Sequence, residues 1–232
     1  MMNLAQSKEM EAEVVEIGRL NNVKTEEKPY YHSAKRVVDV VCALAALIFL
    51  LPVFIFIAIM MKINEPSGSV FFKQKRIGKN GDLFNIIKFR SMVLNAEEKL
   101  KANKELYQKY IDNNYKLEQD EDPRITKLGR FLRKTSLDEL PQLINVLKGE
   151  MSLVGPRPVV REELKEYGDR AVDFLSVKPG VTGYWQVSGR SDVGYPERVD
   201  LELFYVYNQS LWFDFKILFR TVIIVLLKRG AY

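Results

Sequence analysis

The stretch Val40-Val-Cys-Ala-Leu-Ala-Ala-Leu-Ile-Phe-Leu-Leu-Pro-Val-Phe-Ile-Phe-Ile-Ala-Ile-Met-Met61 carries no charge. Its length permits a crossing of ~30 Å of hydrocarbon. Pro52 interrupts it near the middle, where a proline removes a backbone hydrogen bond and kinks or breaks a helix. The part before Pro52 makes about 18 Å of helix, too short to cross alone. Both flanks are basic: Lys35 and Arg36 precede the run, and Lys62, Lys73, Lys75, Arg76 and Lys79 follow it. Positive residues favour the cytoplasmic side, so both ends prefer the same leaflet. Two readings remain open on these grounds, a proline-kinked span and a re-entrant helix-break-helix over residues 33–63. A cleavable signal peptide does not fit, because the run starts late and no small-residue cleavage site follows.

Outward from this run the chain divides into a polar N-terminal tail, 1–32, and a globular part, 64–232. The sequence has 232 residues, 47% hydrophobic, with net charge +5 and pI near 9.1. That composition supplies a core and points to acidic partners such as phosphates or an anionic membrane surface. One cysteine, Cys42, and one histidine, His32, exclude an internal disulfide and a His/Cys zinc cluster. Acid, base or nucleophile must then come from carboxylate, lysine, tyrosine or serine, and a metal must be a hard one held by oxygen.

Val70–Phe72 and Leu83–Phe89 read as strands around the turn residues Gly78-Lys79-Asn80-Gly81, giving a small basic β-hairpin. Residues 93–122 are charged and read as a helix followed by a polar loop. Helical patterns follow at 125–132, 140–147, 162–174 and 198–208, with Gly149 as a stop signal. Residues 178–190 form a glycine-punctuated loop with one short strand at most. The segment 211–227 is apolar but carries Asp214, Lys216 and Arg220, as in a helix lying in a membrane interface, with a plain core helix as its rival. The expected fold is α+β and mostly helical: a membrane anchor, a hairpin, and amphipathic interfacial helices around a compact core.

The chemistry concentrates in Ser136-Leu-Asp-Glu-Leu-Pro-Gln142. Pro141 suits the first turn of a helix, which places Asp138 and Glu139 near a helix N-terminus, where free N–H groups favour anions. The same residues also fit a capping box, Ser136 with Glu139, and a capping role for Asp138 is open on spacing alone. Gly155-Pro-Arg-Pro158 presents Arg157 from a stiff loop, and arginine suits bidentate phosphate contact.

Several stretches together resemble one family. They are the basic-flanked apolar segment Lys35–Lys62, Phe72-Lys-Gln-Lys-Arg-Ile-Gly78, Lys88-Phe-Arg-Ser-Met92, the run from Asp122 to Gln142, Asn145–Pro158 and Lys178–Arg190. In this order they are similar to the bacterial sugar transferases, the monotopic phosphoglycosyl transferases that act on undecaprenyl phosphate. The resemblance covers residues 33–232 and leaves 1–30 outside.

The resemblance implies a UDP-sugar donor and undecaprenyl phosphate acceptor, with UMP released. It implies Asp138 as a nucleophile forming a phosphosugar-enzyme and Glu139, with Asp138, as the carboxylates for Mg2+. Arg133, Lys88, Arg90 and Arg157 are the expected phosphate ligands, and Gln186 and Arg190 the nucleotide or product contacts. It places the protein on the bacterial cytoplasmic membrane with its active site on the cytoplasmic face. Pro52 marks the kink of the re-entrant helix; the family's frequent Ser-Pro is Leu51-Pro52 here. The expected donor is a hexose such as galactose or glucose, for capsule or exopolysaccharide synthesis. Membrane lipids are expected partners, no nucleic acid is, and a homodimer is compatible with the sequence. The rival readings are a membrane-anchored regulatory or nucleic-acid-binding protein and a non-catalytic scaffold of a polysaccharide export complex.

Overall fold

The apolar run forms one long helix, α1 (Pro29–Asn64), with Pro52 inside it. A computed structural model of the chain describes residues 29–112, 117, 121–189 and 193–227; most of the polar N-terminal tail therefore lies outside the described residues. The helix has 36 residues, about 54 Å at 1.5 Å per residue. It begins at Pro29, earlier than the anticipated residue 33, and the two anticipated half-helices appear as a single element. One stripe of it is buried at Ala43, Ile57 and Met61, while Ile48, Phe49, Leu51, Ile55 and Phe56 are exposed, Phe49 by 82%.

Two pairs of strands follow. β1 (Phe71–Ile77) and β2 (Leu83–Phe89) form the antiparallel hairpin in the register Phe71↔Phe89 to Ile77↔Leu83. A short 3-10 turn joins them, with Asn80 in the left-handed region at φ 57°, a conformation asparagine tolerates. The second pair, β3 (Ser152–Val154) and β4 (Gly180–Thr182), is parallel.

The rest is mostly helical. Residues 93–112 give two helices, α2 (Ala96–Ala102) and α3 (Lys104–Asp112), in place of one. α4 (Lys127–Lys134) starts at the Thr126 cap, whose side chain accepts from Gly129 N. α5 (Gln142–Lys148) ends at Gly149, φ 82°, a left-handed stop that glycine adopts without strain. The segment read as one charged helix, 162–174, is instead α6 (Arg161–Leu164), a 3-10 stretch and α7 (Ala171–Leu175). Gly168, at φ 49° and ψ −134°, breaks it. α8 (Tyr184–Ser188), α9 (Glu197–Tyr207) and α10 (Leu211–Leu226) complete the chain.

The packing explains how the helix and the active segment are tied together. One cluster joins Ala43 of α1 to Phe84 and Ile86 of β2, Leu143 and Val146 of α5, Leu153 of β3 and Ile217 of α10. Another joins Ile57 and Met61 of the same helix to Phe89 and to Leu132 of α4, with Leu137 packed against it. Residues 133–142 connect these two clusters along the chain, and Leu137 of the carboxylate turn packs against the second. Polar contacts reinforce the first attachment. Arg36 donates to the carbonyls of Val146 and Leu147 at 2.6 and 2.8 Å. Asp39 accepts from Leu153 N and Ser152 Oγ.

Candidate active site

Asp138 and Glu139 lie in a single 3-10 turn, Leu137–Glu139, between α4 and α5. The turn is entered through Ser136 in the left-handed region at φ 55°, and the Ser136 side chain makes no cap bond. α5 begins only after Pro141, so Asp138 does not cap it. The capping box admitted by the spacing is not built, and the pair of carboxylates is left for other work.

Glu139 faces a cleft lined by Arg76, Lys88, Gln142, Arg157, Gln186 and the chain at Gly180–Val181, among others. Lys88 Nζ donates to Glu139 Oε1 at 2.6 Å, and Arg157 approaches the same oxygen at 3.7 Å. Asp138 is 9% exposed. Its carboxylate has no hydrogen bond or ion pair among the described residues, unlike that of Glu139. Burial, and then the charge of Glu139, push its pKa up to about 6, against the pull of Lys88, Arg133 and Arg157. A buried carboxylate short of partners retains lone pairs for an incoming electrophile or cation.

The surrounding scaffold fixes these groups. Asn145, fully buried on α5, accepts from Ile87 N at 3.0 Å and donates to Asn85 O at 2.8 Å and to Glu150 at 2.7 Å. It locks α5 to β2 and so sets Lys88 against Glu139. Arg133 Nε donates to Ser91 Oγ at 2.9 Å. Gly129 allows this approach of α4 to the chain at Ser91, because a Cβ there would lie 1.9 Å from Ser91 O. The Arg157 loop is held by Glu202, which is 1% exposed and accepts from Arg157 N at 3.3 Å, and also bonds Tyr167 and Arg198. Close backbone contact seats the same loop on β4: a Cβ on Gly180 would lie 2.1 Å from Gly155 N.

Lys88, Glu139, Arg157 and Gln186 thus converge on the cleft, with Arg133 close enough to act on Asp138. Arg90 does not join them. Its NH1 pairs with Glu65 at 2.9 Å, beyond the end of β2, where strand alternation no longer directs the side chain. Arg190 lies outside the described residues. Arg76, Gln142, Asn145 and Glu202 were not singled out from the sequence. Arg76, Gln142 and Asn145 lay within the quoted stretches, and Glu202 was visible only as a polar residue in a helical pattern.

Among the described residues no group of three or more His, Cys, Asp or Glu is placed to hold a metal ion. The adjacent carboxylates Asp138 and Glu139 could supply two oxygen ligands to an ion such as Mg2+, which takes its others from phosphate and water. The ion pair of Glu139 with Lys88 marks this carboxylate as cation-accepting.

Comparison with known proteins agrees with this arrangement. The model of the family described as bacterial sugar transferase matches residues 30–228. The chain is 49% identical over 201 residues to the undecaprenyl-phosphate galactose phosphotransferase of Salmonella typhimurium, an alignment covering 85% of this chain and 41% of that protein. It is 46% identical over 209 residues to the exopolysaccharide production protein ExoY of Rhizobium meliloti, covering 88% of this chain and 91% of ExoY. It is 40% identical over 206 residues to the UDP-glucose:undecaprenyl-phosphate glucose-1-phosphate transferase of Escherichia coli, covering 85% and 41%. The chain thus spans about two-fifths of the length of two of these relatives and nearly all of ExoY. On the family match and the extent of these identities, the chain belongs to the bacterial sugar transferase family.

Proposed function

We propose that this protein is a phosphoglycosyl transferase that moves a sugar 1-phosphate from a UDP-sugar to undecaprenyl phosphate, with Asp138 as a covalent nucleophile. The observation that carries this reading is the state of Asp138: a buried carboxylate with no hydrogen bond or ion pair among the described residues, surrounded by Lys88, Arg133 and Arg157. A carboxylate oxygen attacks the phosphorus that bears the sugar. The bond from that phosphorus to the bridging oxygen breaks, and UMP departs with the oxygen and the electron pair. An oxygen of undecaprenyl phosphate then attacks the phosphorus of the acyl phosphate, whose bond to Asp138 breaks and restores the carboxylate. No net proton transfer is required in either step.

Attack by an anion on an anion needs compensating charge. Lys88 and Arg157, which pair with Glu139, and Arg133, which acts on Asp138, supply it. Asp138 and Glu139 would hold Mg2+, which when bound neutralises diphosphate charge and polarises the bonds to phosphorus. Burial of Asp138 keeps water from the acyl phosphate, so the lipid phosphate competes well for it.

The packing of α1 supports the re-entrant reading of residues 33–63. Lys35 and Met61 are about 39 Å apart along a helix, yet both ends touch the same globular part, at Asp214 and at Phe89 and Leu132. A helix crossing ~30 Å of hydrocarbon would separate these attachments to opposite sides of the bilayer. A shallow insertion, kinked at Pro52 and exposing Ile48, Phe49, Leu51 and Phe56 to lipid, keeps both attachments and brings the cleft to headgroup depth on the cytoplasmic face. Exposed Trp212, Phe215, Phe219 and Val222 make α10 the matching interfacial helix.

The names of relatives specify galactose, glucose and N-acetylgalactosamine, and a hexose for exopolysaccharide or capsule initiation is our reading for this chain. The test is UMP release from a panel of UDP-sugars with undecaprenyl phosphate in nanodiscs. Lipid-dependent release with at least one hexose donor is expected. Release with none, in a folded protein, would remove the proposal.

A further inference from the structure

We infer that Phe72 is a specificity-determining residue for the acceptor: its exposed ring receives the part of the polyprenyl chain nearest the phosphate as that phosphate enters the cleft beside Lys88. This inference rests on the transferase reading above and adds a residue on its lipid side.

Successive side chains along a strand point to opposite faces, so the hairpin has two. The register pairs Phe72 with Lys88, Gln74 with Ile86 and Arg76 with Phe84, and these side chains share one face. Arg76, Ile86 and Lys88 all line the cleft, which identifies it as the cleft face. Phe72 is the residue of β1 on that face nearest the open end of the hairpin. It stands directly across from Lys88, whose Nζ donates to Glu139 at 2.6 Å. Residues paired in this way have Cβ atoms about 5 Å apart.

The next pair, Phe71 with Phe89, belongs to the other face and fastens the hairpin to α1. The two rings stack with centroids 5.5 Å apart, and Phe89 meets Phe54 of α1 at 5.1 Å. Val70 packs against the cluster that holds Ile57 and Met61. Beside those two residues α1 exposes Phe56, Ile59 and Ile63. Phe72 therefore lies one step along the chain from residues bound to the inserted helix, and one strand across from a residue bound to the carboxylate pair. Its ring is 47% exposed.

A single exposed ring is ordinary on a protein surface; here its place in the fold points to a ligand. The acceptor is an amphiphile. Its phosphate must reach Asp138 among Lys88, Arg133 and Arg157, while its chain stays in the lipid that α1 enters. The chain must leave the cleft between these two regions, and Phe72 supplies apolar surface there. Covering the ring with isoprene units removes apolar area of both partners from water.

The test separates acceptor from donor with the full chain in nanodiscs, circular dichroism being the check of folding. Phe72→Ser should raise KM for undecaprenyl phosphate about tenfold, the order expected for losing contact with half of an aromatic ring, and leave KM for the UDP-sugar as it was. Phe72→Leu, which keeps an apolar side chain, should restore most of the acceptor affinity. The affinity of geranyl phosphate, which has only the isoprene units nearest the phosphate, should fall by the same factor in Phe72→Ser, read by its competition with undecaprenyl phosphate. A loss confined to undecaprenyl phosphate would place the ring against the distal chain or the membrane and overturn the inference. An unchanged acceptor KM in folded Phe72→Ser would overturn it too. If Phe72→Ser does not fold, Phe72→Gln is read against the same constants. Exchange of labelled UMP into the UDP-sugar needs no acceptor and keeps the two readings apart. Its absence from the wild type would remove the transferase reading; its presence with unchanged acceptor constants would remove only the role of Phe72.

Discussion

The fold treats two buried aspartates in opposite ways. Asp214, at the start of α10, is 6% exposed and its carboxylate is surrounded by donors: Lys35 at 2.7 Å, Tyr31 at 3.1 Å and Tyr205 at 2.7 Å. Asp138 is nearly as buried and has no such bond among the described residues, and its pKa rises to about 6. At Asp214 the charge is satisfied and serves to fasten α1 to the catalytic part. At Asp138 the charge is kept unsatisfied, which costs stability and leaves an oxygen available to phosphorus. Burial by itself does not distinguish a structural carboxylate from a reactive one; the count of donors does.

The most severe way to test that contrast is to neutralise each aspartate. Asp138→Asn should lower turnover by about 10³-fold or more, as for loss of a covalent nucleophile, with no loss of thermal stability in a melting experiment. Asp214→Ala should do the reverse. Leaving Lys35 without its partner in a site of low exposure should cost about 3 kcal/mol of stability by denaturant titration, with UMP release reduced only in proportion to the folded fraction. Equal losses of stability in the two variants would erase the distinction.

Glu139 sits between the two cases, since it is paired with Lys88 yet open to the cleft. Glu139→Gln should raise the Mg2+ concentration for half-maximal turnover at least ~10-fold. An unchanged Mg2+ dependence would mean that this carboxylate serves only to hold Lys88.

The raised pKa of Asp138 adds a pH signature. Without a bound metal its carboxyl is protonated below about pH 6, so at limiting Mg2+ turnover should fall by up to about tenfold per pH unit below that point. The effect on folding has the opposite sign. The folded carboxyl holds its proton more tightly than the unfolded one, whose value is 3.8. Its stabilising contribution is complete below pH 3.8 and is lost as pH rises through 6. Comparing the stability of wild type and Asp138→Asn between pH 4 and 7 should show the wild type losing ground as pH rises.

What could be read from the sequence was what depends on neighbours in the chain. The hairpin followed from Gly78–Gly81 between branched and aromatic residues, the end of α5 from Gly149, and the carboxylate pair from its position before Pro141. What could not be read depends on residues far apart. The parallel pairing of β3 with β4 joins three-residue strands separated by two dozen positions, and such strands carry almost no periodic signal. Arg76 and Arg90 show the same limit on one hairpin. Both looked like members of a basic face, but only the packed structure shows Arg76 turned to the cleft and Arg90 paired with Glu65 beside the end of α1. Gly168 lies inside the segment read as one helix, 162–174, and its positive φ divides that segment in the structure.

The most direct measurement is a search for the covalent intermediate. The wild-type protein, mixed with a UDP-sugar it turns over but no lipid acceptor, is quenched in acid, digested and mapped by mass spectrometry. A sugar phosphate on the peptide containing Asp138, absent from Asp138→Asn and discharged when undecaprenyl phosphate is added, is the predicted result. Full turnover by Asp138→Asn, or a phosphosugar found on a different residue, would contradict the account.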